Sequence, residues 1–230
     1  MTGRPLQLAQ HDTIRLVPSA RLKEASLAPL VDNDEEYEEL VALEYATHGR
    51  LEAQASGLAD LDPKELVFGV PCFTFINAAF CYPRPGGNRF NDEHRGAWYC
   101  GFKVETSLAE VKYHLTRALH DAGTFDNTTD YAELFADFIG VFQDLIFDNP
   151  RPDCLDPDID RGYPPGQALA KKLRGEKRVS GIIYPSVRQP GGTCLVALYP
   201  AVVQNVRQGG LWRMTWSGSP EPTITQNPTV

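Results

Sequence analysis

The spacing of the hydrophobic residues changes abruptly between positions 98 and 120. Over Trp98–Val104 every second residue is apolar, which predicts a strand with Trp98 and Cys100 on one face and Tyr99 on the other. Over Ser107–His120 the apolar residues follow helical spacing and form one stripe, namely Leu108, Val111, Leu115, Ala118 and Leu119. A strand that passes almost directly into an amphipathic helix predicts a domain that combines a sheet with helices.

Later segments support the same mixed class. Val179–Tyr184 and Thr193–Tyr199 have the composition of strands on either side of the Gly191–Gly192 turn, and Pro164–Arg174 is typical of a short helix. Tyr131–Phe147 is compatible with either a helix or a strand. We therefore predict an α+β fold with a central mixed or antiparallel sheet and flanking helices.

The two ends of the chain differ from this central part. Helical spacing and acidic residues predict a helix over Asp32–Gln54, so residues 1–65 are expected to form a helical elaboration packed on a core domain of residues 66–216. Leu66–Phe80 is apolar, aromatic and β-branched, which suggests extended or buried structure. Residues 217–230 contain three prolines and no aromatic residue, so a flexible tail is expected there.

Charge and the distribution of apolar residues argue against several classes of protein. A net charge of −8 over 230 residues disfavours direct nucleic-acid binding, because such proteins gain affinity from clustered lysine and arginine. No apolar run approaches the roughly 20 residues of a membrane-spanning helix, and residues 1–17 lack the apolar stretch of a signal peptide. The five cysteines form no C-x-x-C motif, which indicates reduced thiols in a cytoplasmic protein.

Common cofactor and metal motifs are missing. Neither G-x-G-x-x-G nor G-x-x-x-x-G-K-[ST] occurs, and there is no G-x-S-x-G nucleophile elbow. His114 and His120 lie six residues apart, on different faces of the predicted helix, and are a poor metal pair. The acidic run Asp156–Asp160 departs from a calcium loop, since Gly162 falls one position late and Gln167 stands where glutamate is needed. No metal site is expected.

Three segments combine charged or reactive side chains with glycine and proline: residues 86–91 (GGNRFN), 98–111 (WYCGFKVETSLAEV) and 181–192 (GIIYPSVRQPGG). In their order and spacing they resemble the RES-domain family, the toxin halves of bacterial toxin–antitoxin pairs. That family's pattern is Gly-Arg-Phe/Trp-Asn, a Tyr-containing strand, a Thr-Ala-x-x-Glu-like helix start and Tyr-Pro-Ser-x-Arg. The matching positions are Gly87–Asn91 with Asn88 interposed, Trp98–Tyr99, Ser107–Glu110 and Tyr184–Arg188.

The resemblance implies NAD+ chemistry on a fold similar to that of ADP-ribosyltransferases, with NAD+ as substrate and no metal. Such enzymes break the bond between nicotinamide and ribose, after which water, phosphate or a protein side chain takes the ADP-ribose. We slightly favour a side chain of a cellular protein. NAD+ hydrolysis or phosphorolysis is the alternative, and a non-enzymatic protein-binding module is a second one. The resemblance also implies a cognate antitoxin that covers the cleft and could form an oligomer with the toxin.

Arg89 and Tyr99 are candidates for binding NAD+. Arg89 lies in a Gly/Pro-rich loop where backbone can approach a ligand closely, and its guanidinium suits a diphosphate. The alternative is a surface arginine paired with Asp92 or Glu93. Tyr99 lies on the strand face opposite Trp98, where its ring could stack on nicotinamide or ribose, and an ordinary core tyrosine is the alternative.

Glu110 is the candidate catalytic carboxylate. Breaking an N-glycosidic bond builds positive charge on the ribose, and a carboxylate aimed at the 2′-hydroxyl and the developing cation would stabilise it. Ser107-x-x-Glu110 is also a capping box, in which the glutamate only satisfies backbone N–H groups of the helix. The capping role is the commoner one for this pattern. The two roles are partly compatible, because a helix N-terminus favours the ionised carboxylate.

Ser186 has no neighbouring histidine or lysine base, which disfavours a role as nucleophile. We expect it to orient the nicotinamide amide or Glu110 through a hydrogen bond, and a plain turn serine is the alternative. Arg188 is a candidate phosphate ligand or a plain surface cation, and Arg15 matches an early arginine of the family. His114, four residues after Glu110, shares its helix face and could support it. The four candidate catalytic residues are predicted to border one cleft: Arg89, Tyr99, Glu110 and Ser186.

Overall fold

The computed structural model describes residues 3–25 and 61–227 of the chain. Within these residues the strands are β1 (Arg4–Pro18), β2 (Trp98–Gly101), β3 (Asp126–Asp144), β4 (Gly181–Pro185), β5 (Thr193–Ala197), β6 (Gln204–Ser217) and β7 (Thr223–Asn227). The α-helices are α1 (Phe73–Cys81), α2 (Val104–Asp121) and α3 (Ile159–Glu176). Short 3₁₀ turns occupy Ser19–Ala25, Pro63–Glu65, Asp153–Leu155 and Pro200–Val202.

The seven strands form one mixed sheet in the order β1-β2-β5-β4-β3-β6-β7. β3 and β4 run parallel, and the other paired strands run antiparallel. Because β1 also pairs with β3, the strands β1, β2, β5, β4 and β3 form a closed circuit of hydrogen-bonded neighbours. The predicted α+β class with a central mixed sheet and flanking helices is confirmed.

Residues 4–18 form strand β1, where the sequence predicted part of a helical elaboration. β1 pairs with β3 along its length, with a shift in register between Gln10 and Thr13 that adds one residue to β1. Since side chains alternate between the faces of a sheet, the extra residue moves Ile14 to the face opposite to that of Leu8. This break in alternation hides the strand from the sequence pattern. The predicted helix Asp32–Gln54 lies outside the described residues.

Thr223–Asn227 form β7 at the edge of the sheet, where the sequence predicted a flexible tail. They pair with β6 over residues 211–215. The segment contains β-branched threonine and isoleucine, which favour strand pairing. Pro220 and Pro222 lie in the preceding turn, where no ladder hydrogen bond is needed, so they do not prevent β7 from forming.

Two segments with weak sequence signals have defined structure. α1 occupies Phe73–Cys81, where extended or buried structure was expected, because apolar residues fill nearly every position and leave no period to recognise. Most of the ambiguous segment Tyr131–Phe147 belongs to β3. Residues on both faces of β3 are buried, which removes the alternation typical of a strand exposed on one side.

The core consists of three clusters of buried side chains. The first involves α1 and includes Trp98 and Phe138, the second involves α3 and includes Phe90, and the third involves α2 and includes Trp216. Trp98 belongs to the first cluster, whereas its neighbour Tyr99 packs against the second. The prediction that these two side chains lie on opposite faces of β2 is therefore confirmed.

Two further observations concern the thiols and the helices. All five cysteines are free, and four of them are buried. Within the described ranges, no helix is both long enough and apolar enough to cross a membrane.

A buried ion pair joins the segment before α1 to the segment before β2. Arg95, 4% exposed, donates from Nη1 and Nη2 to the Glu65 carboxylate at 2.8 and 2.7 Å. The hydrogen bonds from Arg95 lower the pKa of Glu65. We expect Glu65→Gln to reduce the free energy of unfolding by about 1–3 kcal/mol, because it removes the counter-charge of a buried guanidinium. The effect is smaller than for a fully buried pair, since the Glu65 side chain is 30% exposed.

The stabilisation by Glu65 has a defined dependence on pH. Because the folded-state pKa is lower than the unfolded value of about 4.3, the contribution is present above that value and is lost as the pH falls through the folded pKa. Urea unfolding of the wild type and Glu65→Gln at neutral and at acidic pH measures this. The difference between the two proteins should shrink in acid, and an undiminished difference would contradict the assignment.

Candidate functional site

One cavity of about 220 Å³ is bounded by α2, α3 and the strands β1, β2, β4 and β5. Five of the six candidate site residues line it: Arg15, Arg89, Tyr99, Glu110 and Arg188. The sixth, Ser186, is held against the cavity by a hydrogen bond to Glu110. The fold thus gathers side chains that lie up to 173 positions apart in the chain.

Glu110 and Ser186 form a direct hydrogen bond across 76 residues of sequence. Ser186 Oγ donates to Glu110 Oε1 at 2.7 Å and accepts the backbone N–H groups of Arg188 and Gln189 at 3.1 and 3.0 Å. Because these N–H groups occupy the lone pairs of the hydroxyl, its proton is directed to the carboxylate. Cys194 Sγ also lies 3.8 Å from Oε1. No donor among the described residues bonds Oε2, which leaves that oxygen for a ligand.

The capping-box role of Glu110 is wrong. α2 begins three residues before Ser107, with Lys103 as its N-cap, so both members of the pattern lie inside the helix. Ser107 Oγ instead donates to the carbonyl of Ile14 at 2.6 Å and accepts the N–H of Gly101 at 3.1 Å. Ser107 therefore joins α2 to β1 and β2, and this fixes the turn of helix from which Glu110 reaches the cavity.

Arg89 is 6% exposed and is not the surface arginine of the alternative interpretation. Its Nη1 donates to the carbonyls of Cys154 and Asp156 at 2.7 and 2.8 Å, and its guanidinium lies 5.4 Å from the centre of the Tyr163 ring. Neutral carbonyls position the guanidinium but do not cancel its charge. A buried cation held in this way is suited to bind an anion.

Tyr99 lines the cavity, and its hydroxyl is hydrogen-bonded to the loop that carries Arg89. The hydroxyl donates to Asn91 Oδ1 and accepts the N–H of Phe90, both at 2.9 Å. Burial raises the pKa of this phenol far above its ordinary value, so it stays protonated. Tyr99 is thus a structural support for the Arg89 loop, a function that its position in the sequence did not indicate.

Arg15 and Arg188 complete the positive side of the cavity. Arg15 stacks 4.9 Å from the Trp98 ring and donates from Nη1 to the carbonyl of Tyr99 at 3.3 Å. Burial lowers its pKa to about 10, which leaves it charged at neutral pH. Arg188 lies 3.3 Å from the centre of the Tyr113 ring, and its Nη2 donates to the carbonyl of Pro157 at 2.7 Å.

His114 and Tyr163 also line the cavity. Burial, and then the positive charge of Arg84, lowers the pKa of His114 to about 3, so the imidazole is neutral at physiological pH. The sequence indicated His114 because it lies four residues after Glu110 and therefore on the same face of the helix. Tyr163 carried no such signal, because only the packing of α3 against the Arg89 loop brings it to the site.

The charges of the cavity are unusual for this chain. Its lining residues include three arginines and one glutamate, whereas the net charge of the chain is −8. Such a cavity suits a ligand that carries several negative charges and places a positive group beside Glu110. Across the described residues, no group of three or more His, Cys, Asp or Glu side chains could hold a metal ion.

Comparison with known proteins agrees with the motifs that the sequence contains. A family model of the RES domain matches residues 67–217, which include Arg89, Tyr99, Glu110 and Ser186, while Arg15 on β1 lies before the match. No curated protein matches the chain. Because the model covers more than half of the chain, the chain belongs to the RES domain family, whose usual context is that of a toxin.

Proposed function

We propose that this protein is a toxin that breaks the nicotinamide–ribose bond of NAD+ and transfers the ADP-ribose. One observation carries the proposal: a glutamate fixed by a serine and three guanidinium groups line the same cavity. The diphosphate of NAD+ needs cations, and the ribose, which becomes cationic as its bond breaks, needs a carboxylate. Membership of the RES domain family supports the same NAD+ chemistry.

In the proposed step the bond between ribose C1′ and the nicotinamide nitrogen breaks, and both of its electrons go to that nitrogen. Nicotinamide leaves as a neutral molecule and needs no proton. Positive charge then develops on C1′ and the ribose ring oxygen, where ionised Glu110 stabilises it and accepts a hydrogen bond from the 2′-hydroxyl at Oε2. The acceptor forms the new bond to C1′ and loses its proton to Glu110 or to water.

The other site residues bind and orient the substrate in this proposal. Arg89 holds the diphosphate, with Arg15 and Arg188 as further phosphate ligands. The ring of Tyr99 stacks on nicotinamide or ribose while its hydroxyl anchors the Arg89 loop. Ser186 donates to Glu110 and so keeps the carboxylate in one orientation.

Replacing Ser186 with alanine tests its positioning role. We expect kcat for nicotinamide release to fall about tenfold to 100-fold with little change in KM, because the carboxylate remains but is no longer held. Ser186→Thr, which retains the hydroxyl, should recover much of the loss. Steady-state kinetics of both variants measure this, and an equal loss in the two would indicate a purely steric effect.

As the acceptor we propose a side chain of a cellular protein. Burial lowers the pKa of His114 to about 3, which makes the imidazole a weak base for activating water at neutral pH. A group that is itself a good nucleophile depends less on such a base. Hydrolysis and phosphorolysis of NAD+ remain the alternative outcomes.

We also propose a cognate antitoxin that covers the cavity. The partly exposed Arg188 and the other guanidinium groups would attract a carboxylate, such as the C-terminal end of a partner chain. Adding the partner should stop NAD+ turnover. Size-exclusion chromatography of the same mixture should show a complex of the two proteins. A complex that still consumes NAD+ would contradict this arrangement.

The proposed function is tested by incubating the purified protein with NAD+ and measuring nicotinamide by chromatography and the other product by mass spectrometry. Nicotinamide release with an ADP-ribosylated protein supports transfer to a side chain. Free ADP-ribose or its phosphate ester would instead identify hydrolysis or phosphorolysis. If no nicotinamide is released at any NAD+ concentration, the enzymatic proposal is refuted in favour of a non-enzymatic protein-binding module.

A further inference from the structure

A second cavity of about 140 Å³ adjoins the first. The two cavities share Arg15, Asn88 and Tyr99 as a common wall. The second one, here the outer cavity, is formed by α1, β1, the 3₁₀ turn Ser19–Ala25 and the residues around β2. None of the residues found only in the outer cavity has a function in the reaction proposed above.

The outer cavity has positive charge without a counter-charge. Arg15 and Arg21 line it, and its described lining includes no aspartate or glutamate. Arg21 is among the groups that lower the pKa of Arg15, so the two guanidinium groups are close enough to repel each other. Two cations brought together in an acidic chain favour the binding of an anion.

One wall of the outer cavity is a helix face with aromatic side chains at its ends and small side chains between them, here called the slot. Four lining residues of α1 and its C-cap follow the spacing i, i+3, i+4, i+7 and therefore share one face: Phe75, Ala78, Ala79 and Tyr82. An aromatic ring stands at each end of this face, and two small alanines lie between them. A heteroaromatic base can contact the methyl groups and meet the ring edges at both ends.

A neighbouring cavity on the side of His114 lacks these properties. It shares His114 and Tyr163 with the first cavity, and its charged lining residues are Arg84, Arg117, Asp121 and Asp160, so that cations and carboxylates balance. Arg84 is already engaged by the carbonyl of Gly87 at 2.8 Å. A third neighbouring cavity shares Arg188 with the first and contains Glu221, which pairs with Lys112 at 2.8 Å. Of these three neighbouring cavities, the outer one alone is lined by cations and by no carboxylate.

We propose that the outer cavity binds the adenosine diphosphate part of NAD+, an inference that rests on the proposed function. A cavity of about 220 Å³ is smaller than the roughly 300 Å³ at which pockets begin to enclose drug-sized ligands, so a dinucleotide must extend beyond it. Arg15, on the shared wall, contacts the diphosphate together with Arg89. Arg21 contacts the phosphate next to adenosine, and the adenine lies over Ala78 and Ala79 in the slot.

Direct binding of ADP, measured by calorimetry, tests the inference without requiring turnover. Arg21→Gln is expected to weaken ADP binding about tenfold, because it removes a charged hydrogen-bond donor. Ala78→Leu, which fills the slot, should weaken it at least as much. Arg117→Gln is the matched control, since it removes a cation that lines two neighbouring cavities but not the outer one, and it should bind ADP like the wild type. Thermal unfolding of each variant reports whether the fold is retained.

The inference is overturned if the wild type does not bind ADP, if folded Arg21→Gln binds it unchanged, or if Arg117→Gln is the variant that loses binding. Nicotinamide release from NAD+ by the same samples separates this result from the proposed function. If Arg21→Gln turns over NAD+ with an unchanged KM, nucleotide binding in the outer cavity is refuted and the proposed reaction is retained. ADP binding that depends on Arg21 and Ala78, without any turnover, would refute the reaction and retain the nucleotide site.

Discussion

Replacing Glu110 with glutamine is expected to slow nicotinamide release from NAD+ by about 10²–10³-fold with little change in KM. The amide keeps the size of the side chain and can still accept the hydrogen bond from Ser186, but it removes the negative charge that faces the ribose. The substitution therefore slows the step in which positive charge develops, and it leaves substrate binding little changed. Steady-state rates of nicotinamide release over a range of NAD+ concentrations measure both parameters.

Glu105→Gln is the matched control for this variant. Glu105 lies in the first turn of the same helix α2, is exposed, and does not line the cavity. The substitution removes one negative charge from the same element, so a general electrostatic effect on NAD+ would act on both variants. We expect Glu105→Gln to stay within about twofold of the wild type. A Glu110→Gln variant that is as active as this control would show that Glu110 is not the carboxylate of the reaction.

Gly166→Ala is expected to lower the free energy of unfolding by about 2–4 kcal/mol and to reduce NAD+ turnover sharply. Gly166 is buried in α3, and a Cβ placed there would lie 2.1 Å from the carbonyl oxygen of Arg89. The helix backbone fixes the position of the Cβ, and the oxygen belongs to the backbone of Arg89, so no side-chain rotation can relieve the contact. The Arg89 loop must move, and it is also held to α3 by Gln167, whose Nε2 donates to the carbonyls of Gly86 and Asn88 at 3.0 and 3.1 Å.

The same helix provides the control for this substitution. An added Cβ at Gly175, which is exposed near the end of α3, meets nothing within 4 Å. Gly175→Ala should therefore leave stability unchanged or raise it by up to about 1 kcal/mol, since alanine favours the helix. Urea unfolding and nicotinamide release of the two variants form the test. Equal stability of Gly166→Ala and the wild type would contradict the close packing of α3 on the Arg89 loop.

Much of the candidate site could be predicted from the sequence because its residues occur in short motifs. Arg89, Tyr99, Glu110 and Ser186 each stand in a segment with glycine, proline or a clear hydrophobic period. The roles of these residues were harder to predict than their positions. The capping box of Ser107 and Glu110 is a valid local pattern, and it failed because the N-cap of α2 is Lys103, four residues before Ser107.

Other parts of the fold had no local signal that could be recognised. In strand β1, one extra residue between Gln10 and Thr13 interrupts the alternation of buried and exposed side chains. Helix α1 is too uniformly apolar to show a helical period. Arg15 therefore had only a weak match in the sequence, although it lies on the wall of the cavity. The sequence prediction was best where one face of an element is buried and the other is exposed, as in α2.

By itself the sequence determined the chemical groups that are available and the local periods that produce β2, β4, β5 and α2. It also determined that Trp98 and Tyr99 lie on opposite faces, because alternation in a strand is a local property. Only the tertiary structure decided that Glu110 meets Ser186, that Arg89 is held by the carbonyls of the segment before α3, and that β1 closes the circuit of strands. These contacts join residues far apart in the chain, and their geometry depends on how all the elements pack together.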